Sequence, residues 1–308
     1  MNRGRRNGLK LAYFQLALAM ILVGMNVAVG KVIVEKVPIF LFSEIRFLIA
    51  LLFLIPMAFF HERSTIKIEK QQFKLLFLQS FFGVFLFSIC MLYGVRYTSA
   101  TAAGIITSTV PAAIALLSFF FLKERLSTSQ VVSVCLAVLG ILIITLQTST
   151  IHSQNQSLLF GNILIFGAVV SEALFTIYAK KLAGVLSPIH IAAAINLIGF
   201  LLFLPFAIYE GLSFQLANIT MFIWILIMYY AITASVLSFV LWYQGIAKVK
   251  ASIAGIFTGF IPVTAAVTGI FILDEPFGWN QFFGILFVLA AIFVGTRKIE
   301  KGVSSKSL

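Results

Sequence analysis

Ten apolar stretches, each about twenty residues long, divide the chain at roughly 12–34, 39–60, 73–95, 99–122, 129–147, 158–180, 188–209, 219–246, 251–273 and 279–296. About twenty apolar residues is the helix length that crosses the hydrocarbon core of a bilayer. Backbone in that medium must satisfy its own hydrogen bonds, so each stretch is predicted to be a helix. No loop between them exceeds about a dozen residues, which leaves no room for an extramembrane domain. A soluble chain of 308 residues would split into about two domains. Composition excludes that, because 61% of residues are apolar and only 10% are charged, against roughly 25% in a soluble domain. The expected class is an all-α polytopic membrane protein with ten transmembrane helices.

Charge placement orients the spans. The net charge is +12, but the basic residues fall in short clusters between apolar runs, which fits lipid headgroups and topology and excludes nucleic acid as a partner. With the N-terminus inside, the inner segments collect 18 Lys and Arg and the outer ones three, Lys31, Lys36 and Arg96. Both termini are therefore expected in the cytoplasm. The run that follows Arg3, Arg5, Arg6 and Lys10 is too long for a signal-peptide core and reads as a retained first span. Localisation is expected in the cytoplasmic membrane of a bacterium, in multi-pass form.

Cys90 and Cys135 both lie within apolar stretches, and the three histidines stand far apart without ligand spacing. No metal site and no cofactor are expected. No G-x-x-x-x-G-K-[ST] phosphate loop is present, so any driving force is an ion or substrate gradient.

The two halves resemble one another. Residues 100–124 and 251–275 share ten of 25 positions at an offset of 151, including Gly104 with Gly255, Thr107 with Thr258, Pro111 with Pro262 and Glu124 with Glu275. A second match, offset by 150, aligns Pro38-Ile39 with Pro188-Ile189 and Leu51–Leu54 with Leu201–Leu204. Two five-span repeats are expected, 1–150 and 151–308, together one membrane domain. Because five is odd, the second copy enters the membrane from the opposite side. That 5+5 inverted-topology repeat is an architecture of secondary transporters, whose substrate site lies near the midplane between halves.

On these residues the chain resembles the EamA-type carriers of the drug/metabolite transporter superfamily. The resemblance is carried by Gly104, Pro111 and Lys123-Glu124-Arg125, their repeat Gly255, Pro262 and Leu273-Asp274-Glu275, the Gly24, Asn26 and Lys31 group of the first span, and Arg46 in the second. It implies ten helices around a central cavity and export of amino acids or other small metabolites. Where that family often has Trp-Gly before the Asn of the first span, this chain has Val23-Gly24.

Several side chains are candidates for substrate binding or coupling. Glu172 lies near the middle of the sixth span, where a carboxylate is costly, so it is expected either to exchange protons or pair with substrate, or to be a neutral acid bonded to a neighbouring helix. Asn26 is deep enough to need a partner. Arg46, whose counterpart in the repeat is Asn196, is expected to snorkel outward or hold a gate. Glu44 is expected to be a solvated or interfacial charge and not paired with Arg46, since i,i+2 neighbours do not share a helical face. Tyr93, Trp242 and Tyr243 form either an interfacial belt or a cavity wall. Pro111 and Pro262 are expected to free the carbonyls of Thr107 and Thr258, for a kink or for a substrate contact. Gly104 and Gly255, within small-xxx-small stripes, are expected to pack helices, as are the two prolines. Glu124 and Glu275 are expected to cap or bridge the turn to the next helix.

The first functional expectation is a proton-coupled or facilitative carrier that exports small metabolites, with amino acids foremost. Its alternative is efflux of organic cations. A non-transporting sensor has no domain or long loop in its support, and an enzyme no clustered His/Glu or Ser/Lys set. Expected partners are a small-molecule substrate, the lipid bilayer and protons, with the chain a monomer or weak homodimer.

Overall fold

The structure, a computed structural model, describes residues 3–61, 68–97, 106–146, 158–272 and 278–304. Helix α1 spans Arg3–Val34 and α2 Ile39–His61. Helix α3 runs from Lys70–Ser80 through a π-helical stretch, Phe81–Leu86, into Phe87–Tyr97. Then follow α4 (Val110–Leu122), α5 (Thr128–Leu146), α6 (Leu158–Leu182) and α7 (Pro188–Leu212). Helix α8 repeats the pattern of α3, with Met221–Tyr230, a π stretch at Ala231–Leu237 and Ser238–Ile246. Helix α9 comes in two pieces, Ala251–Phe257 and Phe260–Ile272, and α10 is Trp279–Ser304.

These ten fall on the ten predicted spans. Among the described residues, six stretches are long and apolar enough to cross a membrane alone, in α1, α2, α3, α6, α7 and α8, and four shorter apolar helices occupy the remaining spans. Helices α1 and α10 extend past their apolar runs into basic sequence. Large side chains such as Phe59, Phe60, Leu159 and Phe271 stand outward, as a lipid-facing surface allows. Buried side chains from α1, α2, α3, α6, α7, α8 and α9 form the main core, with Phe47, Phe203 and Tyr243 among its largest members.

Pro262 lines a cavity between the helices, as one expectation had it, but neither proline makes the expected kink. Pro111 and Pro262 do not kink helix interiors. Helical structure stops at Ser108-Thr109 and at Thr258-Gly259, and each proline lies in the first turn of the helix that restarts. There its missing N–H removes no helical bond. The Thr258 carbonyl is not free either, because it accepts the Ile261 N–H at 3.0 Å. Gly104 lies outside the described residues, as does Glu275.

Helix α3 packs on α6 and α8 on α1; α2 packs on α7, α5 on α10, and α4 on the first piece of α9. At the last of these crossings a Cβ on Gly255 would come within 2.9 Å of Cγ2 of Ile114, itself fully buried. Gly255→Val is therefore expected to destabilise the protein by about 2 kcal/mol through overpacking, read as a lowered unfolding temperature in detergent. An unchanged temperature would mean that α4 and α9 do not meet there.

Candidate substrate cavity

A cavity of about 530 Å³ opens between α1, α3, α4, α5, α6, α8 and α9. That volume suits a small-molecule ligand. Its walls pair across the chain at the repeat offset of 151, with Phe87 and Ser238, Met91 and Trp242, Thr107 and Thr258, and Val110 and Ile261 all on the lining. Most of the remaining wall is aliphatic or aromatic, from Met20, Val23, Phe175 and Phe239.

Glu172 is the only charged side chain among the described lining residues. No hydrogen bond or ion pair ties its carboxylate to another described residue. Facing the same space, Trp242 is 2% exposed, and its indole Nε1 has no partner among the described residues. The two hydroxyls on this side turn their protons away. Thr258 Oγ1 donates to the Gly255 carbonyl at 2.7 Å, and Ser238 Oγ donates to the Ala234 carbonyl. Their lone pairs remain for the cavity, so its described lining presents one carboxylate and at least two neutral acceptors, while the indole Nε1 of Trp242 is itself buried. Thr107 lines it as well. An acceptor-rich, apolar site of this kind can hold a donor-bearing group, an ammonium above all.

Of the aromatic trio, only Trp242 faces the cavity. Tyr93 is 42% exposed on the outer surface of α3. Tyr243 is fully buried beside the cavity, its hydroxyl accepting from Gln79 Nε2 at 2.8 Å. Adjacency in sequence joined three rings that the helix turn sends in different directions. The aromatic wall is completed instead by Phe87, Phe175 and Phe239, which nothing marks out among 33 Phe.

Asn26, Arg46 and Asn196 converge on the π stretch of α8. Asn26 Nδ2 donates to Thr233 Oγ1 and to the Leu22 carbonyl, both at 2.8 Å. Arg46 donates to Ser235 Oγ at 3.2 Å, and Asn196 Nδ2 to the Ser235 carbonyl at 3.1 Å. The guanidinium of Arg46 lies 4.3 Å from the Phe47 ring centroid and 5.6 Å from that of Tyr230, so it turns inward and does not snorkel. A π stretch bonds i to i+5, as Ser238 N–H to Thr233 O does here, and the neighbouring side chains hold the irregular turn. None of the three lines the cavity; they brace the helix that carries Ser238 and Trp242. Glu44 is not a solvated charge. It is 8% exposed and neither carboxylate oxygen has a partner among the described residues, because packing of α2 on α7 buries a residue that depth along the helix alone places near water.

Glu124 does cap a helix, though not the one expected. Lys123 takes a left-handed conformation, φ 52°, that ends α4 and turns Glu124 toward the start of α9. The carboxylate accepts from Ala251 N–H at 2.9 Å, Ser252 N–H at 3.2 Å and Ser252 Oγ at 3.0 Å. Lys250 Nζ returns a bond to the Arg125 carbonyl at 2.9 Å. Glu124→Ala leaves two helix N–H groups unsatisfied and is expected to cost about 2 kcal/mol of stability, measured by thermal unfolding in detergent; Glu124→Gln should recover part of it.

Comparison with known proteins agrees with this architecture. The model of the EamA-like transporter family matches twice, at residues 10–146 and 159–297. An uncharacterized transporter of Bacillus subtilis, YetK, is 46% identical over 287 residues, covering 93% of this chain and 87% of its own. An uncharacterized transporter of Archaeoglobus fulgidus is 27% identical over 224 residues, 72% of this chain and 77% of its own. A solved structure, described as a crystal structure of protein, superposes with a TM-score of 0.77 at 15% identity over 92% of this chain and 98% of that one, a likeness of fold. The chain is a multi-pass membrane transporter that belongs to the EamA-like transporter family.

Proposed function

We propose that the protein is a secondary carrier that exports small metabolites bearing an ammonium group, amino acids foremost, in exchange for protons. Two inverted five-helix halves, 1–150 and 151–308, rock around the central cavity with both termini in the cytoplasm. The observation that carries this reading is the cavity itself, with walls paired at an offset of 151 and one unpaired carboxylate, Glu172. The twofold family match and the corresponding helix pairings, α3 on α6 against α8 on α1, favour the repeat. The Lys and Arg distribution favours the orientation.

Export of larger organic cations is the second reading. The absence of any basic side chain from the described lining supports it, since an amino-acid carboxylate finds no cation there.

The test is uptake into purified proteoliposomes of a labelled panel, with and without an imposed pH gradient. The panel holds amino acids, their decarboxylated amines and a quaternary ammonium dye. Gradient-driven flux of amino acids supports the first reading, and flux of amines and dye alone the second. Flux of anionic or uncharged solutes only would sink both.

A further inference from the structure

The cavity ends abruptly toward the end of the bundle that the proposed orientation puts in the cytoplasm. On α3 its lining includes Gly83 and Met91; on α6, Glu172 and Phe175; on α8, Ser238 and Trp242. Immediately beyond these lie Gln79 and Ser80 of α3, Thr176 of α6 and Tyr243 of α8, each with 0% exposure. Gln79 joins the two halves of the chain, donating to the Tyr243 hydroxyl at 2.8 Å and to the Phe175 carbonyl at 3.4 Å. Three polar atoms of this layer, Gln79 Oε1, Ser80 Oγ and Thr176 Oγ1, have no hydrogen-bonding partner among the described residues.

A permanent wall in a membrane protein gains nothing from such atoms. Buried polar groups are nearly always paired, and a half-satisfied network is less stable than an apolar one of the same shape. The cost disappears if the layer meets water in a second conformation. Further out on the same side, other links cross between the halves in register with it, Gln15 Nε2 to Gln244 Oε1 at 2.7 Å and Glu124 to the start of α9. The ionisable groups nearest this layer are Glu172 on its cavity side, Tyr243 within it, and Lys180 beyond it, bound to the Ile246 and Ala247 carbonyls.

We infer that Gln79, Ser80, Thr176 and Tyr243 form the cytoplasmic gate of the cavity, a polar floor whose unpaired atoms load the closed state so that it lies close in free energy to the open one. This rests on the alternating-access reading above. A gate of this kind must be neither too stable closed nor too stable open, because a state favoured strongly on one side leaves the other scarcely populated. The bond from Gln79 to Tyr243 holds the floor shut, and the three orphaned atoms favour its opening.

Two substitutions push this balance in opposite directions. In a background without native cysteines, Ser238→Cys places a thiol on the cavity wall, and its labelling by a membrane-impermeant maleimide is followed from each face of oriented membrane vesicles. The background is expected to label from both faces. The double variant Ser80→Ala, Thr176→Val, which removes two orphaned hydroxyls and keeps the Gln79–Tyr243 bond, is expected to slow cytoplasmic labelling at least tenfold while its unfolding temperature rises. Tyr243→Phe, which removes the acceptor of the Gln79 bond, is expected to speed cytoplasmic labelling several-fold. Unchanged cytoplasmic labelling in both variants would overturn the gate and leave the carrier reading intact. Labelling of the background from one face only would overturn alternating access itself, and the gate with it.

Discussion

Glu172→Gln is expected to abolish the dependence of flux on a pH gradient and to lower transport of any ammonium-bearing substrate at least tenfold. Glutamine keeps the size of the side chain and one acceptor oxygen, with a donor NH2 in place of the other, so the cavity should keep its shape. What it loses is the capacity to carry a charge. In the native chain an ionised Glu172 faces an apolar cavity with no cation among the described lining residues. Two species can relieve that cost, a proton or a cationic substrate, and they compete for one carboxylate. Competition at a single site is sufficient for exchange of one against the other. The sign follows directly: acidifying the face to which the cavity is open fills Glu172 with protons and weakens substrate binding there, so apparent affinity falls as pH falls. In the glutamine variant affinity should be low and indifferent to pH. Stability should not fall, because a buried charge has been replaced by a neutral group. Gradient-dependent flux in the variant equal to that of the native chain would remove Glu172 from coupling.

Glu172 was legible in the sequence because a charge within an apolar span has few structural uses. The spans themselves were legible for the same reason, since hydrocarbon leaves the backbone one economical conformation. Azimuth was not legible. Whether Tyr93 or Phe175 faces the cavity depends on which helix packs alongside, and periodicity says little when both faces of a helix are apolar, as in α6 and α7. The same ambiguity hid the burial of Glu44. The π stretches of α3 and α8 carry no residue signature either, although once seen they explain why Thr233 and Ser235 receive side chains from α1 and α2. Gln79 and Thr176 did offer a signal, as uncharged polar residues within apolar runs, but composition does not tell a packing contact from a gate. Pro111 and Pro262 were legible as helix disruptions; that each restarts a helix after a break depends on the turn preceding it.

Arg46→Met is expected to separate stability from transport. The guanidinium carries up to five donors, yet among the described residues it makes one hydrogen bond, to Ser235 Oγ at 3.2 Å, and faces two aromatic rings. No carboxylate pairs with it among the described residues, although Glu44 lies two positions away on the same helix. A charge taken from water with so little compensation is a burden on the folded state, and replacing it with an apolar chain of similar length is often neutral or stabilising. Methionine is flexible enough to follow the arginine stem past Phe47. Thermal unfolding in detergent should therefore show a stability unchanged or raised by about 1 kcal/mol. Transport is expected to move the other way, by about tenfold, because the Arg46 bond steadies the π stretch that positions Ser238 and Trp242 on the cavity wall. Arg46→Lys, which keeps the charge but loses the planar group that stacks on the rings, should fall between the two. If methionine lowers stability and flux together, Arg46 is a structural tie between α2 and α8 and nothing more.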